Sequence, residues 1–239
     1  MTLVTTEIWP GLPGFIVMAA DQRISRAGQH DSNHRKLFAL PAGRRGGISY
    51  FGLAEVQLAT SLQRMDRWLS DFLDRHTTGD LAYLAASLAG ALNGLPRLDR
   101  TQRSGFQLAG LVGDNRPEFW YIRNVDDDGE PTLGQWEARE DFQARDAAAL
   151  PPGHVQYYRS GDIQAHVAAW QPLDVAFGQL LTRPGFRLPV GPEPTMQWVQ
   201  FKMNVVADFY DNFATTSIIG RPVDALAVTE TGVIASWAR

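Results

Sequence analysis

Thr2-Leu3-Val4-Thr5-Thr6-Glu7-Ile8, Phe15-Ile16-Val17-Met18-Ala19-Ala20-Asp21-Gln22-Arg23 and Lys36-Leu37-Phe38-Ala39-Leu40 form the stretch on which the fold turns. The first run is rich in β-branched residues and the second is mostly apolar, so both read as strands. Trp9-Pro10-Gly11-Leu12-Pro13-Gly14 lies between them with the Pro and Gly content of a turn, which makes the pair a hairpin. Residues 25–33 are polar and read as a loop. Residues 36–40 and 47–51 read as a second hairpin, joined through Pro41-Ala42-Gly43-Arg44-Arg45-Gly46.

Beyond Gly52 the period changes. Leu58, Leu62, Met65, Leu69 and Phe72 are spaced four, three, four and three apart, which predicts one face of a helix. Asp80 is placed to cap a second helix carrying Leu81, Leu84, Leu88 and Leu92, and Asn93-Gly94 stops it. Strands follow at 106–113 and 118–124, with Asp114-Asn115-Arg116-Pro117 as their turn. Residues 125–130 are an acidic turn. Residues 131–158 read as a short strand near 132–138 in otherwise irregular chain. A helix over 162–170 is interrupted at Pro172 and resumes over 175–181. Met196, Val199, Met203, Val206, Tyr210 and Phe213 lie on one helical face. Strands at 223–229 and 233–237 close the chain.

Consecutive strands joined by tight turns imply antiparallel sheets, and helices that come in pairs argue against a doubly wound parallel sheet. The expected fold class is α+β: a four-layer αββα sandwich, with two stacked antiparallel sheets flanked by helix pairs.

Composition narrows the function classes. The 239 residues are 44% apolar and 20% charged, ordinary for a globular chain with a core. A net charge of −4 gives no electrostatic case for nucleic acid or an anionic membrane as partner. The absence of cysteine excludes disulfides, thiolate chemistry and Cys-based zinc sites. No apolar run approaches the roughly 20 residues of a membrane helix, and the first residues lack a signal-peptide pattern, so a cytoplasmic location is expected.

The order of motifs resembles the N-terminal nucleophile hydrolases, specifically the proteasome β-subunit family and its bacterial relatives. Phe15 through Ser25 is similar to the family's second strand with its acid and following Arg. Lys36-Leu37-Phe38-Ala39-Leu40 resembles the strand that carries the catalytic lysine. Tyr50-Phe51-Gly52-Leu53-Ala54 resembles the strand end that supplies an oxyanion-hole glycine. Ser160-Gly161-Asp162 resembles the turn before the third helix, and Ser217 through Asp224 the approach to the last hairpin. The likeness in order covers nearly the whole chain and implies one proteasome-subunit-like domain over residues 1–239.

The resemblance implies a threonine peptidase whose nucleophile, Thr2, is exposed by removal of Met1. Asp21 and Lys36 would form its supporting pair, Arg23 would brace the acid, the Gly52 N–H would hold the oxyanion, and Ser160 and Ser217 would support the site. No cofactor is implied. Peptide or unfolded protein is the implied substrate. A homo-oligomeric ring or stacked rings is the implied assembly, with any ATP-dependent unfoldase unknown. A small-amide hydrolase and a catalytically silent scaffold subunit are the rival readings.

The chemistry needs these residue types. A threonine hydroxyl is a poor nucleophile until a base takes its proton. A free α-amine titrates near 7.7–8, suited to that work at neutral pH. Thr5 is the rival nucleophile: Thr2 stands nineteen positions before Asp21, a few more than the family pattern, and Thr5 fits that length without a gap. Thr2 is preferred because extra residues are cheap in the Pro/Gly turn. Asp211 is a candidate for the family's C-terminal acid, at an altered spacing. His30, Asp31 and His34 would ligate a metal only on a helix, and their neighbours suggest a loop. Asp126-Asp127-Asp128-Gly129-Glu130 lacks most of a calcium-loop pattern and reads as a turn.

Overall fold

The computed structural model describes every residue except 1, 12, 27–28, 32, 42, 97, 99–101, 127–136, 148–152, 163, 217 and 238–239. The first half runs β1 (Leu3–Trp9), β2 (Phe15–Asp21), β3 (Ile24–Arg26), β4 (Gln29–Asp31), β5 (Leu37–Ala39), β6 (Arg45–Phe51), β7 (Glu55–Gln57), β8 (Leu62–Arg64), α1 (Met65–Arg75) and α2 (Leu81–Asn93). The second half runs β9 (Gly105–Val112), β10 (Arg116–Asp126), β11 (Glu137–Asp146), β12 (Gln156–Gly161), a π-helical stretch (Ala165–Trp170), α3 (Gln171–Leu181), α4 (Pro192–Phe213), β13 (Val223–Thr229) and β14 (Gly232–Ser236).

The chain is mixed α and β with two large antiparallel sheets. One has the order β12-β1-β2-β13-β14, the other β11-β10-β9-β6-β5. Both expected N-terminal hairpins are present, β1 with β2 and β5 with β6. The side chains sort by strand alternation. Val4 and Ile8 of β1 meet Ile16 and Met18 of β2, and Ala109, Leu111 and Phe119 from the other sheet, in one cluster. Leu3 of β1 and Val17 and Ala19 of β2 pack with Met196, Val199, Met203 and Val206 of α4. Leu69 and Phe72 of α1 and Leu84, Leu88 and Leu92 of α2 pack on Ile48, Tyr50, Phe106 and Leu108 of the second sheet.

Helix α2 begins as its sequence predicts: the Tyr83 N–H donates to Asp80 Oδ1 at 2.7 Å. Helix α1 does not. It starts at Met65, because the Leu58 N–H closes a turn on the Ser61 carbonyl at 2.8 Å and β7 pairs with β8. Leu62, expected on the helix face, is exposed. Residues 25–33 are likewise not all loop: β3 and β4 form a short ladder. The stretch expected to be irregular supplies a long edge strand, β11, and the strand β12, while most of the segment 132–138 lies outside the described residues. Pro172 does not interrupt its helix. It stands second in α3, and the π-helical stretch, whose turns are wider, runs into it without a break. Among the described residues, no helix is long and apolar enough to cross a membrane.

Candidate active site

Thr2 stands one residue before β1. Asp21 is the last residue of β2, the neighbouring strand, and Lys36 stands one residue before β5 of the other sheet. The three side chains meet where these strand ends converge. Lys36 Nζ donates to Thr2 Oγ1 at 2.8 Å. It lies 3.3 Å from each carboxylate oxygen of Asp21. It also donates to the Arg23 carbonyl. Asp21 accepts the Leu3 N–H at 2.7 Å and the Arg23 N–H at 3.2 Å. The acid is 0% exposed and the lysine 1%.

Burial acts on both partners in the direction of neutrality. It raises the Asp21 carboxyl above its ordinary value, and the Lys36 charge and the Leu3 N–H oppose the rise. It lowers the Lys36 ammonium below its ordinary value, opposed by Asp21. A lysine so placed holds a proton less firmly than a solvated one, with its nitrogen on the threonine hydroxyl.

The turn after β12 fixes the backbone of Thr2. The Asp162 N–H donates to the Thr2 carbonyl at 2.9 Å. Gly161, at φ +101°, brings its Cα against the same carbonyl, so that a Cβ there would stand 1.8 Å from the Thr2 oxygen. Gly161→Ala should therefore lower unfolding stability by about 1–3 kcal/mol through backbone strain. It should also displace Thr2, so that any hydrolysis falls more than the change in denaturation midpoint accounts for; peptide turnover beside urea unfolding checks both.

Gly52 follows β6 at φ +87°, and a Cβ there would stand 2.4 Å from the Arg103 carbonyl. It lies two residues past Tyr50, whose N–H donates to the Lys36 carbonyl at 3.1 Å. That puts Gly52 beside the lysine's own strand, with a backbone shape that suits glycine.

Arg23 holds the acid by its main chain. Its guanidinium turns away to Asp211 of α4, the acid noted at an altered spacing, and to the Ile219 carbonyl at 3.4 Å. Ser160 is not drawn into the Thr2 group. Its hydroxyl accepts from Gln107 Nε2 at 2.8 Å, and Gln107 Oε1 accepts from Thr6 Oγ1 at 2.7 Å, a polar chain between the two sheets. Ser217 lies outside the described residues. Thr5 sits mid-strand, fully buried, paired with Ala19 and Arg159 on its two sides. It faces the α4 side of its sheet, away from Lys36.

Sequence reasoning placed Asp162 in the turn before the third helix but gave it no role, although an acid before a helical run is a capping signal: its Oδ1 accepts the Gln164 and Ala165 N–H groups at 2.8 and 3.1 Å. It missed His166. That imidazole is buried, with Nε2 at 3.0 Å from the Ser160 carbonyl, and burial brings its pKa from 6.5 to about 4. The unfolded chain then binds the proton more tightly than the folded one. Stability is intact above pH 6.5 and is lost as pH falls from there toward about 4, by about 3 kcal/mol in all. Urea unfolding at pH 7 and pH 4.5 should show this loss, and His166→Gln, which does not titrate, should lack it.

His34 Nε2 bonds Asp31 Oδ2 at 3.0 Å. Among the described residues, no group of three or more acidic or histidine side chains is arranged to hold a metal. Residues 127–130 of the acidic turn lie outside the described residues. A cavity of about 990 Å³, lined by Ile8, Pro10, Arg116, Phe119 and Tyr158, opens at the far end of β1. Six residues of strand, roughly 20 Å, separate it from Thr2. The chemistry-bearing groups therefore lie away from this large hollow. No model of a known protein family matches the chain, and no curated protein sequence matches it.

Proposed function

We propose that this chain is a threonine-type hydrolase of the proteasome β-subunit kind, built as a four-layer αββα sandwich and cleaving peptide bonds at Thr2 in the cytoplasm. The observation that carries the reading is the Lys36 nitrogen, 2.8 Å from the Thr2 hydroxyl and 3.3 Å from both oxygens of a buried Asp21. A surface ion pair has no need of such burial, and a purely structural pair has no need to donate to a threonine hydroxyl.

With Met1 removed, the Thr2 α-amine takes the proton of Oγ1, directly or through a water, while Lys36 stabilises the developing negative charge on that oxygen. Oγ1 attacks the scissile carbonyl carbon. The Gly52 N–H donates to the oxyanion, a contact typically worth about 3 kcal/mol. The C–N bond breaks, the leaving amine takes the proton from the α-ammonium, and an ester remains on Thr2. Water then cleaves the ester and restores the hydroxyl. Enclosure of such sites in a ring of copies belongs to the same reading.

A β-lactone probe with intact-mass and peptide mapping tests it. The expected result is loss of Met1 and one adduct on the peptide that begins at Thr2. Retention of Met1, or an adduct elsewhere, overturns it.

A further inference from the structure

Thr2 lies one residue beyond the paired end of β1. The last rungs of the ladder between β1 and β12 join Val4 to Ser160 and Leu3 to Gly161. Past them the backbone of Thr2 rests on the corner Ser160-Gly161-Asp162, through the Asp162 N–H on its carbonyl at 2.9 Å and the close approach of Gly161. A shift of that corner is therefore a shift of Thr2 Oγ1. Asp162 ties the corner to the helical turn that follows, and Ser160 Oγ is turned to Gln107.

One further side chain reaches back to the corner. The His166 N–H closes the first turn on the Asp162 carbonyl at 3.3 Å. Side chains of a helix lean toward its N-terminus, so the imidazole lies back toward β12, with Nε2 3.0 Å from the Ser160 carbonyl. A carbonyl oxygen only accepts, so Nε2 carries the proton. Nδ1 is buried without a hydrogen-bond partner among the described residues. It is the bare nitrogen of a neutral ring, and a second proton there would have nothing to receive it. Burial, which brings the pKa to about 4, keeps the ring neutral and Nε2 a donor at pH 7.

The base of the imidazole is held firmly. Ala165 and Trp170, at the two ends of the π-helical stretch, are 0% exposed and packed in the cluster with α4. The Gln171 N–H reaches five residues back to the His166 carbonyl. Such π turns are rare and recur at functional sites.

We propose that His166 is a positioning residue for Thr2: its Nε2–H holds the Ser160 carbonyl, and the corner so fixed sets the threonine against Lys36. Its part in hydrolysis rests on Thr2 being the nucleophile, whereas its hold on the corner does not. Misplacing a reacting group by about 1 Å costs on the order of 10²-fold in rate, so one hydrogen bond at this corner carries more weight in turnover than in folding.

Two amides separate the donor from the bulk of the ring. Glutamine places its N–H near where Nε2 stands; asparagine places it near Nδ1, short of Ser160. In protein shown to be folded by circular dichroism, His166→Asn should slow β-lactone labelling of Thr2 by about 10–100-fold at saturating probe. The half-saturating probe concentration should change by less than about threefold, and His166→Gln should label within about fivefold of wild type. Hydrogen exchange at the Asp162 amide should quicken at least about tenfold in His166→Asn and not in His166→Gln. Long-range proton–nitrogen NMR of the wild type should show the Nε2–H tautomer, with His166 singled out among the five histidines by its loss in His166→Gln. This decides the matter should His166→Asn unfold, since an Nδ1–H tautomer overturns the proposal. So does labelling at the full rate in folded His166→Asn, or an equal loss in both amides. A wild type that is not labelled at Thr2 refutes the nucleophile instead. Exchange at Asp162 then decides whether His166 holds the corner: quickening in His166→Asn alone upholds it, and equal exchange in both variants overturns it.

Discussion

Thr2→Ala should abolish hydrolysis of a fluorogenic peptide, with turnover down by at least about 10³-fold, while the protein stays folded. The size follows from what is removed: the atom that forms the ester in the proposed reaction, so that the rate expected to remain comes from binding and oxyanion stabilisation alone. The fold should tolerate the change. Thr2 precedes β1, and the Thr2 carbonyl that accepts from Asp162 is unaffected by it. The substitution also keeps a small residue after Met1, so methionine removal should be alike in both forms. Thr5→Ala is the discriminating control. Thr5 lies fully buried in mid-strand with pairing partners on both sides. Its loss should cost some stability and leave β-lactone labelling in place. Labelling that survives Thr2→Ala, or disappears with Thr5→Ala in folded protein, assigns the nucleophile wrongly to Thr2. Thr2→Ser separates the two components of the threonine side chain, because it keeps the hydroxyl and loses only the methyl. It should retain most of the labelling.

The parts of the fold that the sequence announces are those where one local signal suffices. The hairpin of β1 and β2 is announced by two β-rich runs around a Pro/Gly turn, and α2 by an acid cap and a glycine stop. The failures lie where two patterns coincide or no pattern is needed. Leu58 and Leu62 fit a helical period, yet Ala59-Thr60-Ser61 between them makes a turn that holds Leu58 in a hairpin. Strand β11 reads Glu-Ala-Arg-Glu-Asp-Phe-Gln-Ala-Arg-Asp, with charges throughout and only Phe142 buried. It is an edge strand, and edge strands are kept charged to discourage pairing with other chains, so the apolar alternation that marks a strand is missing. The site divides in the same way. Asp21 and Lys36 are ionisable residues at strand ends and invite attention. The Leu3 and Asp162 N–H groups are backbone and have no residue signature at all. The partner of Ser160 is Gln107, on the other sheet and 53 residues away, a contact that only the stacking of two sheets creates.

Lys36→Met should be the most damaging single substitution outside Thr2, and its pH dependence separates its structural from its chemical cost. Methionine fills nearly the same space but leaves Asp21 buried without its countercharge, a loss of about 3–5 kcal/mol for a broken buried pair. The Asp21 carboxyl, already raised by burial, must rise further once the lysine is gone. A carboxyl whose folded pKa stands above its unfolded one favours the folded state at low pH, where both forms are protonated. That stability is lost as pH rises through the folded value. The variant should therefore stand nearest to wild type near pH 5 and furthest from it near pH 8, as read by urea unfolding at the two pH values. Adding Asp21→Leu removes the stranded acid. A buried ion pair replaced by apolar groups of similar size is commonly neutral or stabilising, so Lys36→Met with Asp21→Leu should recover much of the stability and lose the pH dependence. Activity should not follow. The double variant lacks the cation 2.8 Å from Thr2 Oγ1, and peptide turnover should remain down by about 10²–10⁴-fold. If stability and turnover return together, the pair only holds the strand ends in place. If stability returns alone, the charge on Lys36 acts on the threonine hydroxyl itself, and the buried acid is there to keep that charge beside it.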